Sequence, residues 1–355
     1  MDLEQKFWKG KKVLLTGHTG FKGSWMALWL QSMDVDLCGF SKGITTSPNL
    51  YEIANVEENM KSIFGDIQSY EKISSVIKEF NPEIIIHMAA QSIVLRSYKD
   101  PLETYNTNVL GTLNLLESVR KADSTRVIIN VTSDKCYDNR GLGIPFKETD
   151  PMGGFDPYSS SKGCSEILTA SFRNSFFNPE KFHEHKVALA SVRAGNVIGG
   201  GDWSDYRLIP DLIKGIQNNN IVKIRNKNFS RPWQHVLEPL NGYLLLAEKL
   251  WNEGSLFSQA WNFGPIRDEK RQVSYIIEKF MKEFNGLKIN YEENENYESE
   301  NLRLDSDKAN EQLGWKNKYN LDQTIELTIE WYKKFFEGSN MKEVSKKHIE
   351  NFVKL

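Results

Sequence analysis

Residues 13–23 read Val13-Leu14-Leu15-Thr16-Gly17-His18-Thr19-Gly20-Phe21-Lys22-Gly23. An aliphatic run leads into glycines, and beyond Phe21 the apolar residues Trp25, Leu28 and Trp29 recur at helical spacing. The pattern predicts a strand, a tight turn and a helix in that order. The glycines are spaced G-x-x-G-x-x-G, where the widely quoted dinucleotide fingerprint is G-x-G-x-x-G. The physics is shared: missing side chains let the backbone approach a pyrophosphate, whose charge is favoured at the positive end of the helix. Gly17, Gly20 and Gly23, with Thr19 and Phe21 between them, are therefore candidate cofactor-binding residues, a plain turn being the alternative.

Outward from this stretch, short apolar runs alternate with helical patterns. Lys12 to Leu15, Leu37 to Phe40, Ile84 to His87 and Val127 to Val131 read as strands. Val109, Leu113, Leu116 and Val119 mark a helix against the sheet. A further helix beginning near Pro157 carries Ile167, Leu168, Phe172 and Phe176 on one side and small polar residues on the other. Such alternation is the signature of an α/β fold, a Rossmann-type doubly wound parallel sheet. Beyond about residue 190 the alternation gives way to loops such as Gly199-Gly200-Gly201-Asp202. We expect a dinucleotide-binding domain over 1–190 and a smaller, mixed C-terminal substrate-binding lobe over 191–355, parts of which return to the first domain. The acidic stretch Tyr291 to Glu300 reads as a solvated loop, and Leu321 to Phe336 as a terminal amphipathic helix. There is no internal repeat.

Composition narrows the function classes. With 355 residues, 39% hydrophobic and 26% charged, the chain has the proportions of a globular protein that buries its own core. A formal net charge of −2 and no basic stripe point away from nucleic acid. Cys38, Cys136 and Cys164 are odd in number and scattered, which suggests buried thiols rather than disulfides or a metal cluster. Met1 to Trp8 lacks an apolar signal-like core, and no run reaches the ~18 apolar residues of a membrane span, so cytoplasmic placement without membrane contact is expected.

Tyr158-Ser159-Ser160-Ser161-Lys162 sets a phenol and an ammonium four residues apart, on one helical face. Tyr275 and Lys279 repeat the spacing, as chance allows for so short a motif. Only the first pair follows both the glycine turn and Val131-Thr132-Ser133-Asp134-Lys135, a strand end, where α/β proteins expose ligand-binding groups. A tyrosine with a reference pKa of about 10 deprotonates a sugar hydroxyl at neutral pH only if a cation favours phenolate, a role expected of Lys162. Ser133, Asp134 and Lys135 add what hydride transfer alone does not need: an acid and a base side by side, suited to eliminating water.

These motifs resemble the extended short-chain dehydrogenase/reductase family. The blocks His87 to Gln91, Thr132 to Tyr137, Tyr158 to Cys164, Arg193 to Trp203 and Arg231 to Val236 resemble the nucleotide-sugar 4,6-dehydratases within it. Lys135, where those enzymes commonly carry Glu, resembles their CDP-glucose branch. The resemblance implies catalytic roles for Ser133, Asp134, Lys135, Tyr158 and Lys162. It implies cofactor contacts from Asp66, Ile67, Ala89, Ala90, Gln91 and Asn108 besides the glycine turn and Tyr158 and Lys162. It also implies substrate contacts from Asn196, Arg231 and Arg303, and no metal. The implied cofactor is NAD. Because Phe40-Ser41-Lys42 ends the second strand without the usual ribose-binding acid, NADP stays open. In the implied reaction Tyr158 accepts the C4 hydroxyl proton, Lys135 removes the C5 proton, and Asp134 protonates the departing C6 hydroxyl; the last two roles could be exchanged or shared through a water. A nucleotide-sugar substrate and a homodimer through helices beginning near Pro101 and Pro157 follow from the same resemblance. A 4-epimerase and a non-catalytic nicotinamide-sensing protein are the rival readings.

Overall fold

A computed structural model describes residues 3–141, 143–225, 227–266, 271–292 and 302–355. In chain order its main strands are β1 (Lys12–Thr16), β2 (Asp36–Ser41), β3 (Lys61–Phe64), β4 (Ile84–His87), β5 (Val127–Val131), β6 (Ala188–Ala194), β7 (Ile221–Arg225), β8 (Ala260–Phe263) and β9 (Lys288–Glu292). All but β7 and β9 join one seven-stranded sheet of order β8-β6-β5-β4-β1-β2-β3. Its pairings are parallel throughout. The four strands read from the sequence are its middle, within one residue at each end. The order of strands reverses between β1 and β4, which opens a crevice at their carboxyl ends.

The main helices are α1 (Phe21–Ser32), α2 (Tyr70–Phe80), α3 (Gly111–Arg120), α4 (Pro157–Ser175), α5 (Leu208–Asn218), α6 (Leu237–Phe257), α7 (Val273–Glu283), α8 (Leu321–Phe336) and α9 (Met341–Lys354). Successive residues of β1 serve opposite faces. Leu14 joins Ile85, Ile128 and Leu189 in a core with residues of α2 and α3, while Val13 and Leu15 join a larger one with residues of α1 and α6. Burial on both faces explains why these strands read as unbroken apolar runs. Helix α1 is buried from Gly23 to Leu30, with Trp29 edge-on to Phe352 of α9 at 5.6 Å.

On α4 the small polar face turns inward together with Phe172, which is buried, and Leu168, which packs on the same core. Ser161, Ser165, Glu166 and Thr169 are buried, whereas Ile167 is 60% exposed and Phe176, just past the helix, 46%. The buried hydroxyls are satisfied: Asn130 on β5 donates to Ser165 (3.1 Å) and Thr169 (2.7 Å).

The second half is more ordered than its glycines suggest. β7 and β9 pair in parallel, so Tyr291 and Glu292 belong to a strand rather than to the solvated loop expected from Tyr291 onward. Ladder pairing with Ile221–Arg225 supplies the backbone partners that a reading of side-chain charge does not see. The remainder of that stretch, 293–300, lies outside the described residues. α8 spans the expected range and opens on a capping box between Asn320 and Gln323. Residue 190, the expected boundary, falls within β6, and β8 returns to the sheet from the second half. The larger core runs on without a break through Trp203, Ile325 and Trp331.

Candidate active site

A cleft of ≈ 2100 Å³ lies at the carboxyl ends of the strands. It is lined by all the candidate residues except Asn108 and Arg303.

The three glycines of the first turn do different jobs. Gly17 has φ +75°, and a Cβ there would sit 2.8 Å from the Ala89 amide nitrogen. A Cβ on Gly23 would sit 2.0 Å from the Gly17 carbonyl oxygen, so close packing of helix on turn requires the glycine. Gly20, just before α1, would place its Cβ no closer than 3.4 Å to any protein atom. It lines the cleft, so what its missing side chain leaves room for is a ligand. Thr16 anchors the neighbouring loop: its hydroxyl accepts from the amides of Met88 and Ala89 (both 3.1 Å) and bonds His87 at 2.7 Å.

At the far end the tip of β2 carries Ser41, whose hydroxyl accepts from the Thr19 amide (3.3 Å), and Thr19 donates to the Gly43 carbonyl (2.7 Å). Lys42 is ion-paired to Asp66 (3.0 Å) and reaches Glu103 at 3.6 Å. Carboxylates thus reach the cleft from outside β2, where none stands at its tip. Asn108 stands behind the lining. It clasps Gln91 in both directions, accepting from its amide (2.9 Å) and donating to its carbonyl (3.0 Å), and it donates to Ser161 at 2.8 Å. Its side chain is committed to bracing the loop and α4. The glycine turn, the open space at Gly20 and the acid at Asp66 suit an adenine dinucleotide.

The catalytic candidates converge from two elements. α4 begins with Asp156 capping Ser159 and Pro157 in its first turn, which brings Tyr158 and Lys162 one turn apart into the cleft. β5 ends in a single 3₁₀ turn, Asp134–Cys136, with the Ser133 hydroxyl accepting from the Lys135 amide (3.2 Å) and donating to Asp134 (3.0 Å). Tyr158 is hydrogen-bonded to Ser133, so the two elements meet at these hydroxyls. Burial raises Asp134 above the usual carboxylate range, although Lys135, Ser133 and Arg231 pull the other way. That favours a neutral acid able to donate a proton. Tyr158 is pushed up to about 12 by burial, opposed by its hydrogen bond with Ser133. Lys162 is pushed down to about 8 by burial, and it donates to the Val131 carbonyl at 3.3 Å. Desolvation thus dominates the phenol in the protein alone, and the cation that lowers it is Arg207.

Asn196 and Arg231 line the same cleft near Asp134. The Asn196 carbonyl accepts from Gln234 (3.0 Å), and the pairing of Val197–Ile198 with Gln234–His235 brings the two blocks together. Arg303 is off the lining, although its neighbour Leu302 is on it, and donates to the Gly143 carbonyl (2.8 Å). Several cations on the lining escaped the sequence reading, Lys22 and Arg207 among them. Lys22 is pushed down to about 8 by burial and by the charges of Lys162 and Arg207, with Asp134 opposing. A lysine in the first turn of a helix defies the macrodipole, and that misfit was the available signal. Arg207 pairs with Asp202 (3.0 Å) and donates to Ser92 (3.2 Å). It follows Tyr206, a bulky residue at φ +61°.

Tyr275 and Lys279 both engage Asp322 on α8, outside the cleft, which makes them a chance match. Among the described residues no group of three His, Cys, Asp or Glu is arranged to hold a metal, and no helix is long and apolar enough to cross a membrane.

A parallel sheet with a glycine turn at its switch point, and Ser, Tyr, Lys and an acid–amine pair in one cleft, defines a Rossmann-type nucleotide-sugar dehydratase class. The chain belongs to the GDP-mannose 4,6-dehydratase family, whose model it matches over residues 14–328. It is 47% identical to the CDP-glucose 4,6-dehydratase of Salmonella typhimurium, with 99% of this chain and 98% of the relative covered. It is 26% identical to the human dTDP-D-glucose 4,6-dehydratase, with 95% and 93% covered. Among solved structures, a dTDP-glucose 4,6-dehydratase from Bacillus anthracis in complex with NAD superposes at TM-score 0.74 with 24% identity, covering 93% of this chain and 99% of that one. A UDP-glucose 4-epimerase from Thermotoga maritima superposes at 0.77 with 21% identity, covering 91% and 99%. At these identities the superpositions speak for the fold alone.

Proposed function

We propose that the protein is a CDP-glucose 4,6-dehydratase that retains NAD through its cycle. The observation that carries this reading is a desolvated Asp134 beside Lys135, on the lining of the cleft that holds Tyr158 and Lys162. Oxidation alone would leave that pair without a task, whereas elimination needs both. When bound, NAD supplies a reversible hydride acceptor and a positive charge beside the phenol.

The chain's own residues then divide the work. Gly17, Gly20, Gly23, Thr19 and Phe21 cradle the pyrophosphate, while Asp66, Ile67, Ala89, Ala90 and Gln91 line the adenosine side. Asn196 and Arg231 hold the substrate diphosphate, for which a guanidinium offers a planar two-pronged donor. Tyr158 takes the proton from the C4 hydroxyl, relayed by Ser133, to leave a 4-ketone. The ketone acidifies C5, Lys135 removes that proton, and neutral Asp134 gives its own to the departing C6 hydroxyl as water leaves. Hydride returned to C6 would form the methyl group and a proton returned to C5 restores that centre, while Tyr158 gives up the proton it took and Asp134 regains the one it gave, which resets both for the next turnover.

Exposed apolar residues also support a homodimer, which we take to be cytoplasmic. Leu102 (76% exposed) and Ile167 (60%) lie on the two segments expected to pair. Incubation with CDP-glucose, GDP-mannose, dTDP-glucose and UDP-glucose in deuterated water, followed by NMR, tests the reading. CDP-glucose should give a C6 methyl and deuterium at C5; an intact hydroxymethyl group would make the protein an epimerase instead.

A further inference from the structure

The acid–base turn is gripped at both ends by one buried ion pair. Glu166 lies on α4, one helical turn after Lys162, and Arg193 lies on β6; their side chains are 3% and 4% exposed and 2.7 Å apart. At the near end of the turn the Thr132 hydroxyl donates to Glu166, immediately before Ser133. At the far end Arg193 donates to the Tyr137 hydroxyl (2.5 Å), with its guanidinium 4.8 Å above that ring, immediately after Cys136. Ser191 also donates to Glu166 (2.7 Å), and Tyr137 donates onward to Asn262 on β8 (2.8 Å).

Burial works against the charge on Glu166, but Arg193 and the bonds from Thr132 and Ser191 hold its carboxyl below the usual range. Such a pair is a poor device for stability alone, since well-packed apolar residues often do as well. What it supplies here is position. Ser133, Asp134 and Lys135 sit between Thr132 and Tyr137, and the pair also ties them to the helix that carries Tyr158 and Lys162.

We propose that Glu166 and Arg193 are positioning residues that set the acid–base turn against the Tyr158–Lys162 helix, so that elimination depends on them more steeply than C4 oxidation does. The inference rests on the dehydratase reading above. Thr132→Val removes the near grip, Thr132→Ser keeps its oxygen, and Tyr137→Phe removes the far grip without deleting buried carbon.

With the wild-type holoenzyme run alongside, CDP-glucose oxidation is read as single-turnover absorbance of reduced nicotinamide, and elimination as methyl formation. Thr132→Val should lower elimination ~10- to 100-fold, the scale of a misplaced catalytic group, and change oxidation by less than about threefold. Reduced nicotinamide should then accumulate, and Thr132→Ser should restore elimination to within about threefold of wild type. Elimination near the wild-type rate in Thr132→Val, or equal losses in both steps, overturns the inference. Should Thr132→Val not fold, the same split is read from Tyr137→Phe: a selective loss of elimination supports the inference, and an unchanged rate or equal losses overturn it. A wild-type protein that forms no methyl group sinks the dehydratase reading itself, an outcome distinct from either.

Discussion

Replacing Lys162 by Met should make the protein more stable at neutral pH while removing its activity. Lys162 is 5% exposed, and burial pushes its ammonium from an ordinary 10.5 down to about 8. At 1.36 kcal/mol per pKa unit, that difference means folding disfavours the protonated form by ~3 kcal/mol. At pH 7 the lysine is mainly protonated in both states, so nearly the whole penalty stands. Between about 8 and 10.5 the folded protein releases its proton first and the unfolded chain holds more protons, so wild-type stability rises with pH through this window. A methionine at this position carries no such dependence. Against the gain stands the lost bond to the Val131 carbonyl, worth ~1 kcal/mol, which leaves a net advantage of ~2 kcal/mol for the variant at pH 7. Guanidinium chloride unfolding of both proteins at pH 7 and pH 10 reads the difference directly. The advantage should shrink and turn negative toward pH 10, while methyl formation falls at least ~100-fold at pH 7. A variant less stable than wild type at pH 7, or an advantage that grows with pH, would refute the argument.

Gly20→Ala and Gly23→Ala separate ligand space from packing space. The first should fold with thermal stability within ~0.5 kcal/mol of wild type yet bind NAD weakly in a calorimetric titration, while the second should cost ~1–3 kcal/mol of stability because its Cβ meets the Gly17 carbonyl. Asp134→Asn removes the donor, so methyl formation should drop by ~100-fold or more. In the wild type, elimination should decline as pH rises through the raised Asp134 value, because the protonated form is the active one; a pH–rate profile rising in that limb contradicts the assignment. Leu102→Asp combined with Ile167→Asp should convert the dimer to a monomer in sedimentation velocity, and unchanged sedimentation would remove the pairing surface from consideration.

How far the sequence revealed this molecule depended on burial. β1, β2, β4 and β5 were legible because the middle of a doubly covered sheet requires apolar residues on both sides. β6 was not, because Ser191 and Arg193 interrupt its run, and both are there to serve Glu166 across the sheet. β3 is a half-exposed edge and Asn262 interrupts β8, so neither reads as an apolar run. The candidate catalytic cluster was legible because its parts lie in two compact motifs, which the fold brings to one cleft. Arg207 was not, since nothing local says that its side chain turns into the cleft, and for Lys22 the one local sign was a cation in the first turn of a helix. Asn108 and Arg303 lie off the cleft lining: Asn108 bonds Gln91 and Ser161 behind it, and Arg303 donates to the Gly143 carbonyl.

The apolar core that passes unbroken from the sheet into the second half bears on how such proteins can be recombined. Joining the first half of one homologue to the second half of another near residue 190 would cut β6 and force two unrelated sets of side chains to interlock around Trp203 and Trp331. Grafting the loops at the mouth of the cleft leaves that jigsaw whole, so donor segments for altered sugar preference are better taken from the rim than from the lobes.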